Sequence, residues 1–162
     1  QKLFLREYVY ALGTFHYNWH DEIELLVILR GRADICTGGC VYQLEEDDMI
    51  LINSNEGHAT LARSADCLAF LIRFSPTVFE AYDANYRALR FQLLTDSSSR
   101  AQLPYRLLRM YMTKMLLAME TDEQKNLLQM QSGLYPLLEL LQSQFPANRA
   151  SAAAEAGCWY SR

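Results

Sequence analysis

Seven short segments rich in Val, Ile, Leu, Tyr and Phe follow one another between residues 3 and 74, with turn-forming residues between them. They cover residues 4–12, 17–29, 33–37, 40–44, 49–52, 58–62 and 67–74. Repetition at about 8–12 residues is typical of β-sandwiches and barrels. Strands this short need full closure or a second sheet to hide their edges. The sequence therefore predicts a small antiparallel β-barrel in the first part of the chain.

The apolar pattern changes from a strand period to a helix period after residue 74. Ser75 is a favourable N-cap and Pro76 a favourable first helical residue, which predicts a short helix near 77–89. Residues 91–94 are compatible with one more strand.

Two longer helices are expected further along the chain. The first covers about 104–119, and the second runs from the capping box of Thr121 and Gln124 to Phe145, with Pro136 weakening its middle. The fold class is therefore α+β. Its predicted parts are a barrel in 1–95, an antiparallel pair of helices in 96–146 and a linker or tail in 147–162.

Both long helices carry apolar stripes wider than a single contact with the barrel needs. Five of the six methionines fall between residues 110 and 130, and flexible thioethers suit adaptable helix packing. Two interpretations stay open: packing of the helix pair on the barrel, and an additional contact between two copies. The predicted dimer interface consists of Leu107, Tyr111, Met115, Leu127, Met130, Leu134, Leu138 and Leu141.

The stretch 17–31 mixes polar and apolar residues on one face of a predicted strand. Period-two alternation places Asn18, His20, Glu22, Glu24, Leu26, Ile28 and Arg30 on that face. The opposite face is uniformly apolar. Burying His, Glu and Arg between Leu and Ile is costly unless the polar groups bind a ligand or one another. This pattern favours a ligand cavity over the alternative, a solvated face of an open sheet.

Later strands extend the predicted cavity. Thr60 shares a face with His58, and on the last strand Leu71 and Arg73 alternate with residues that pack outward. Arg30 and Arg73 offer planar donors for a carboxylate, a phosphate or sugar hydroxyls, and their alternative is a surface position at strand ends. The predicted ligand-binding residues are Asn18, His20, Glu24, Ile28, Arg30, His58, Thr60, Leu71 and Arg73.

A family resemblance rests on His20, Glu24 and Gly31, followed by an acidic turn at Asp47 and the run to His58. These residues resemble the two motifs of cupin barrels, and the variant is similar to the N-terminal sensor domain of AraC-type transcriptional regulators. The resemblance covers about residues 3–145. It implies a cupin-like jelly-roll barrel that binds a small-molecule effector, a sugar or a small acid, followed by helices that form a homodimer. It further implies a bacterial, cytoplasmic regulator that meets DNA only through a helix-turn-helix domain, which is not recognisable in this chain.

The sequence departs from the metal-binding cupin pattern at one ligand. Metal-binding cupins have His-x-His, whereas this chain has Asn18 followed by His20. If a metal is bound, its ligands are His20, Glu24 and His58, but the same side chains serve equally well as hydrogen-bonding partners in a pocket. We therefore predict no catalytic residue, no metal or other cofactor and no enzymatic activity. The alternative is a small metal-dependent cupin enzyme, an isomerase or an oxygenase.

Charge and cysteine content restrict the remaining possibilities. The net charge of −4 argues against DNA contact by this chain alone. No apolar run approaches the roughly 20 residues that cross a bilayer. Cys36, Cys40, Cys67 and Cys158 lack close C-x-x-C pairing, and no signal peptide is recognisable, so four free thiols in a reducing cytoplasm are expected.

Overall fold

The computed structural model describes residues 5–11, 16–119 and 123–147, with side chains for 17–119 and 126–147. Its strands are β1 (Leu5–Ala11), β2 (His16–Asn18), β3 (Ile23–Arg30), β4 (Ala33–Thr37), β5 (Cys40–Leu44), β6 (Met49–Ile52), β7 (His58–Ala62) and β8 (Leu68–Phe74). Two 3₁₀ turns, Pro76–Phe79 and Tyr86–Ala88, precede the helices α1 (Leu103–Ala118) and α2 (Glu123–Gln144). Among these described residues, neither helix has the length and apolar character needed to traverse a bilayer.

The eight strands form two antiparallel sheets of four strands that face each other. One sheet has the order β1-β8-β3-β6, and the other has the order β2-β7-β4-β5. This is the strand order of a jelly roll, in which two sheets packed face to face protect each other's apolar surfaces. The predicted antiparallel barrel is confirmed in this two-sheet form.

The predicted strand over 17–29 is divided in the structure. β2 ends at Asn18 and β3 begins at Ile23, and the two strands belong to different sheets. In the bend between them, His20 Nδ1 donates a hydrogen bond to the carbonyl of Glu22 at 3.0 Å. Local side-chain bonds to the backbone compete with strand pairing. The alternation expected across the whole stretch therefore stops at this bend.

The region after β8 differs from its prediction in part. Ser75 caps the chain as expected, because its hydroxyl accepts the N–H of Thr77 at 3.2 Å. The short helix near 77–89 is present only as the two 3₁₀ turns. Residues 91–94 form isolated bridges rather than a strand, with Phe91 opposite Pro146 and Leu94 opposite Ile50.

The tight turn between β4 and β5 contains Gly38 and Gly39, whose φ angles are 56° and 80°. Glycine adopts these left-handed angles without steric cost. The turn pairs Thr37 with Cys40. Cys36 is a free thiol, whereas Cys40 is disulfide-bonded, so the expectation of free thiols is wrong for Cys40. Sequence spacing carried no sign of this pairing, which depends on contacts made in the folded chain.

The sheet β1-β8-β3-β6 separates two apolar cores. The core between this sheet and the helices takes Ile23, Leu25, Val27, Phe70, Ile72 and Phe74 from β3 and β8. The core between the two sheets takes Leu26, Ile28, Ala69 and Leu71 from the same strands. This division follows the alternation read from the sequence for both strands. Apolar side chains fill one end of the space between the sheets, and the polar residues lie toward the other end.

Most apolar residues of the two helices are buried within the chain. Met115, Leu134, Leu138 and Leu141 are at most 5% exposed and pack in the core between helices and sheet, so their prediction as a dimer interface is wrong. The apolar face of an amphipathic helix packs against an apolar face of the neighbouring sheet. Leu107, Tyr111 and Met130 are partly buried against the same core, while Leu127 is 52% exposed. The predicted cap Thr121, the residues 1–4 and the tail beyond residue 147 lie outside the described residues.

Candidate functional site

Glu24 and Arg73 lie opposite each other on neighbouring strands. The register of β3 and β8 pairs them directly, and opposite residues in an antiparallel pair point to the same face. Leu26, the next residue on that face of β3, belongs to the core between the sheets. Glu24 and Arg73 therefore point into the space between the sheets. In the facing sheet, Asn18 is paired with His58.

Two loops bring the histidines together. The backbone N–H of Asn55 donates to the carbonyl of His20 at 2.9 Å, and the Ser54 hydroxyl donates to the carbonyl of Asp21 at 2.6 Å. These bonds join the bend that carries His20 to the loop that leads into His58. The position of each imidazole consequently depends on the other loop.

Two asparagines, Asn53 and Asn55, have structural roles in the loop that leads into His58. The amide of Asn53 bonds both backbone groups of Phe91, donating to its carbonyl at 2.9 Å and accepting its N–H at 2.8 Å. Asn55 has a φ angle of 63°, a left-handed conformation that asparagine tolerates better than most residues. Both asparagines thus help to fix the conformation of this loop.

Three basic side chains converge on one carboxylate oxygen. Glu24 Oε2 lies 2.7 Å from Arg73 Nε, 3.2 Å from His20 Nε2 and 3.5 Å from His58 Nε2. The imidazole rings meet edge to face, with centroids 5.2 Å apart. Glu24 is 2% exposed and Arg73 is 20% exposed. We call Glu24, Arg73, His20 and His58 the Glu24 cluster.

The electrostatics of the cluster favour an ionised Glu24. Burial alone would raise the pKa of Glu24, but hydrogen bonds from His20 and His58 and the charges of His58 and Arg73 hold that pKa well below its ordinary value. Burial likewise opposes protonation of His58, yet hydrogen bonding and attraction to Glu24 outweigh it and raise the pKa of His58. Near neutral pH the cluster therefore contains a buried carboxylate neutralised by the Arg73 guanidinium.

One nitrogen of the cluster lacks a well-formed hydrogen bond. His58 is 1% exposed, and its Nδ1 donates to the carbonyl of Glu56 at 3.2 Å. Its Nε2 is buried, and its nearest acceptor, Glu24 Oε2, lies at 3.5 Å, too far for a well-formed hydrogen bond. When the proton is on Nδ1, Nε2 presents a lone pair that can accept a hydrogen bond or bind a cation. Buried polar atoms are nearly always satisfied in native proteins, so this atom points to a ligand.

The cluster meets some requirements of a metal site. The nearest donor atoms of His20, Glu24 and His58 all lie within 4.8 Å of one another. Both imidazoles anchor Nδ1 on a backbone carbonyl, an arrangement that orients metal-binding histidines. However, the Glu24 oxygen that faces the histidines is already bonded to Arg73 at 2.7 Å. A guanidinium at this distance competes with a divalent ion, so the donor set does not fit a metal as it stands and no step is derived through one.

The other predicted ligand-binding residues are distributed unevenly. Thr60 is buried on the same face of β7 as His58. Ile28 and Leu71 are also buried, but they belong to the apolar core between the sheets rather than to the Glu24 cluster. The structure thus brings His20, Glu24, His58 and Arg73 together, with Asn18 and Thr60 on the strands beside them.

Arg30 lies away from the cluster. A register shift between Ile28 and Arg30 pairs Arg30 with Leu68, so the alternation that held to Ile28 fails at the next step. A bulge of this kind turns the following side chain to the other face of the sheet. Arg30 is exposed, and its Nε donates to the carbonyl of Asp66 at 3.2 Å. Its predicted place in the cavity is therefore wrong.

Sequence reasoning missed Thr37. The register of β4 and β7 places it directly opposite His58, and its hydroxyl donates to the carbonyl of Gly57 at 3.1 Å. The glycine turn after Thr37 pairs it with Cys40. No sequence signal indicated that β4 also pairs with β7, so Thr37 could not be connected to His58.

A family model for the AraC-like ligand-binding domain matches residues 3–138. The chain belongs to this AraC-like ligand-binding domain family. The resemblance inferred from the cupin motifs and the trailing helices is thereby confirmed. No curated protein sequence matches the chain. The family assigns the domain to ligand binding, and the Glu24 cluster is the group of buried polar side chains between its sheets.

Several solved structures are similar to this AraC-like domain over part of its length. KdgF from Halomonas sp. is 15% identical, covers 43% of this chain and 68% of its own, and gives a TM-score of 0.40. A cupin-2 domain protein from Shewanella frigidimarina is 17% identical, with coverages of 42% and 68% and a TM-score of 0.39. The DMSP lyase DddQ from Ruegeria pomeroyi is 24% identical, with coverages of 44% and 38% and a TM-score of 0.40. The functional proposals below rest on the family model and the site geometry.

Proposed function

We propose that this chain is the effector-sensing and dimerisation domain of an AraC-type transcription regulator and has no enzymatic activity. The observation that carries the proposal is the buried Nε2 of His58, which lacks a well-formed hydrogen bond inside a polar cluster of a ligand-binding domain. The effector is a small polar molecule that binds beside the Glu24 cluster. Asn18 and Thr60 lie on the strands beside the cluster and offer further polar groups.

The charges of the cluster favour an effector rich in hydroxyl groups. Glu24 is buried and ionised, and Arg73 already neutralises it. The neutralised pair offers an anionic effector no net attraction, whereas a hydroxyl group can donate to His58 Nε2 and accept from another group. Among the two effector classes expected, a sugar therefore fits the site better than a small acid.

The proposal is tested by thermal unfolding of the purified domain with panels of neutral sugars and small carboxylic acids. A specific effector should raise Tm in the wild type, because it binds the native state only. His58→Gln should abolish this increase, while the matched control Arg30→Gln, at an exposed position outside the cluster, should retain it. An effector that protects the wild type and His58→Gln equally would contradict binding at this cluster.

We further propose that two copies associate through the exposed stripe of α1, which replaces the interface predicted from the sequence. Leu103, Met110 and Leu117 recur at seven-residue intervals and are 64%, 46% and 57% exposed. Apolar residues seven positions apart lie on the same side of a helix, where they can pack against a second helix. Such a contact holds two regulators together so that their DNA-binding domains can meet two half-sites.

Light-scattering mass measured over a dilution series tests the dimer. The wild type should have about twice the chain mass of 18.7 kDa, and Leu117→Glu should have the mass of one chain. Leu128→Glu is the matched control, because Leu128 is 76% exposed on α2 but lies outside the stripe. A wild type that remains monomeric, or a control that dissociates as readily as Leu117→Glu, would contradict the α1 interface.

The regulator proposal places DNA recognition in a separate domain and the protein in the bacterial cytoplasm. The acidic net charge of this chain agrees with that division of roles. The effector needs to prefer one arrangement of the dimer by about 1–3 kcal/mol to act as an allosteric signal. Fusing the domain to a DNA-binding domain of the family and measuring operator affinity with and without effector tests the coupling.

A second candidate, a small metal-dependent cupin enzyme, is favoured by the spacing of the three donor atoms within 4.8 Å. Elemental analysis after dialysis against Fe²⁺, Mn²⁺ or Zn²⁺ distinguishes it from the sensor. One equivalent of metal that His20→Ala and His58→Gln both lose would support the enzyme. Metal-free protein that still binds an effector would support the sensor.

A further inference from the structure

A second cavity lies on the far side of the sheet from the Glu24 cluster. It is a groove of about 370 Å³ between α1 and the outer face of β3 and β8. Its accessible lining is apolar, because Leu29 and Leu116 are only partly buried and Met110 is 46% exposed, above the buried core that includes Phe70 and Met112. Ligand sites in proteins commonly have about 300–1,000 Å³ and an apolar lining, so the groove has the size of a small-molecule site.

The rim of the groove is positively charged. It contains the guanidinium groups of Arg106 and Arg109 on successive turns of α1, and one acidic residue, Asp47. Arg109 Nη1 reaches the carbonyl of Asp47 only at 3.4 Å. Among the described residues, the exposed Arg106 side chain makes no hydrogen bond or ion pair. Two cations and one carboxylate leave a net positive charge above this apolar lining.

We propose that this groove binds a small amphipathic monoanion, with its apolar ring or short chain on Leu29, Met110 and Leu116 and its carboxylate at Arg106 and Arg109. Charge complementarity selects this occupant, because planar guanidinium groups pair with carboxylates through two parallel hydrogen bonds. Met110 lines the groove and also belongs to the exposed stripe of α1. The site is separate from the Glu24 cluster, whose residues do not line the groove.

Isothermal titration with hydrocinnamate, and with its neutral amide as the uncharged probe, tests the site. The carboxylate should bind the wild type with one site per chain and at least tenfold more tightly than the amide. The double variant Arg106→Gln/Arg109→Gln should weaken binding of hydrocinnamate at least tenfold. Lys114→Gln is the matched control, because Lys114 is exposed on the same helix and does not line the groove.

Two further variants separate this site from the effector site. Thr113→Phe adds a ring at the groove wall and should block hydrocinnamate, whereas His58→Gln should leave its binding unchanged. Equal affinity for acid and amide, an unchanged affinity in the double arginine variant, or loss of binding only in His58→Gln would each overturn the proposal. The last result would place the anion at the Glu24 cluster, and failure of the sugar screen alone would not affect this site.

Discussion

Replacing Glu24 by glutamine removes one charge from the centre of the cluster while keeping the size of the side chain. Glu24 Oε2 accepts hydrogen bonds from Arg73 at 2.7 Å and from His20 at 3.2 Å. Hydrogen bonds to charged groups contribute about 1.5–3 kcal/mol each, and removing one partner of a fully buried ion pair costs about 3–5 kcal/mol. Because Arg73 is 20% exposed and keeps some hydration, we expect a loss of about 2–3 kcal/mol in the free energy of unfolding.

Urea unfolding followed by far-UV circular dichroism measures this loss. The midpoint should fall while the slope stays unchanged, and Tm should decrease by about 4–12 °C for a domain of this size. Glu139→Gln is the matched control, since Glu139 is exposed on α2 and should change stability by less than about 0.5 kcal/mol.

A double-mutant cycle makes the test specific to the ion pair. Glu24→Gln combined with Arg73→Met should cost at least about 1 kcal/mol less than the sum of the two single changes, because neither charge is then left alone. Additive costs would refute the reasoning, as would a loss from Glu24→Gln no larger than that of the control.

Two further predictions concern pH and helix packing. Glu24, whose pKa is lowered, stabilises the fold above its ordinary pKa of 4.5 and loses this effect as pH falls, whereas His58, whose pKa is raised, stabilises it below 6.5 and loses this effect as pH rises. Urea unfolding should therefore give the highest stability between these values, and a profile unchanged by Glu24→Gln would contradict this origin. Gly133→Ala should lower stability by about 1–2 kcal/mol in thermal unfolding, because its Cβ would lie 2.8 Å from the Tyr111 carbonyl oxygen, on the backbone of α1. A variant as stable as Ser132→Ala would contradict that close contact.

Local patterns in the sequence determined much of the β domain. Alternation separated the two faces of β3 and β8, because successive side chains of a strand point to opposite sides. It thereby identified Glu24 and Arg73 as residues of the inner face. The glycine pair after Thr37 determined the hairpin, because only a tight turn with positive φ angles connects strands at that spacing.

Tertiary structure decided the features that depend on distant pairing. The bulge after Ile28 turned Arg30 out of the cavity, and it is recognisable only from the register with β8. The pairing of β4 with β7 brought Thr37 to His58, and the contacts between two loops brought His20 beside it.

The helices show most clearly which features the sequence determined and which depended on the tertiary structure. Their apolar stripes were correctly recognised, but the sequence could not say which apolar residues meet the sheet and which remain exposed. Met115 and Leu117 are two positions apart, yet one is fully buried and the other is 57% exposed. Helical periodicity specifies a direction around the helix axis, whereas the side that becomes buried is set by the sheet against which the helix packs.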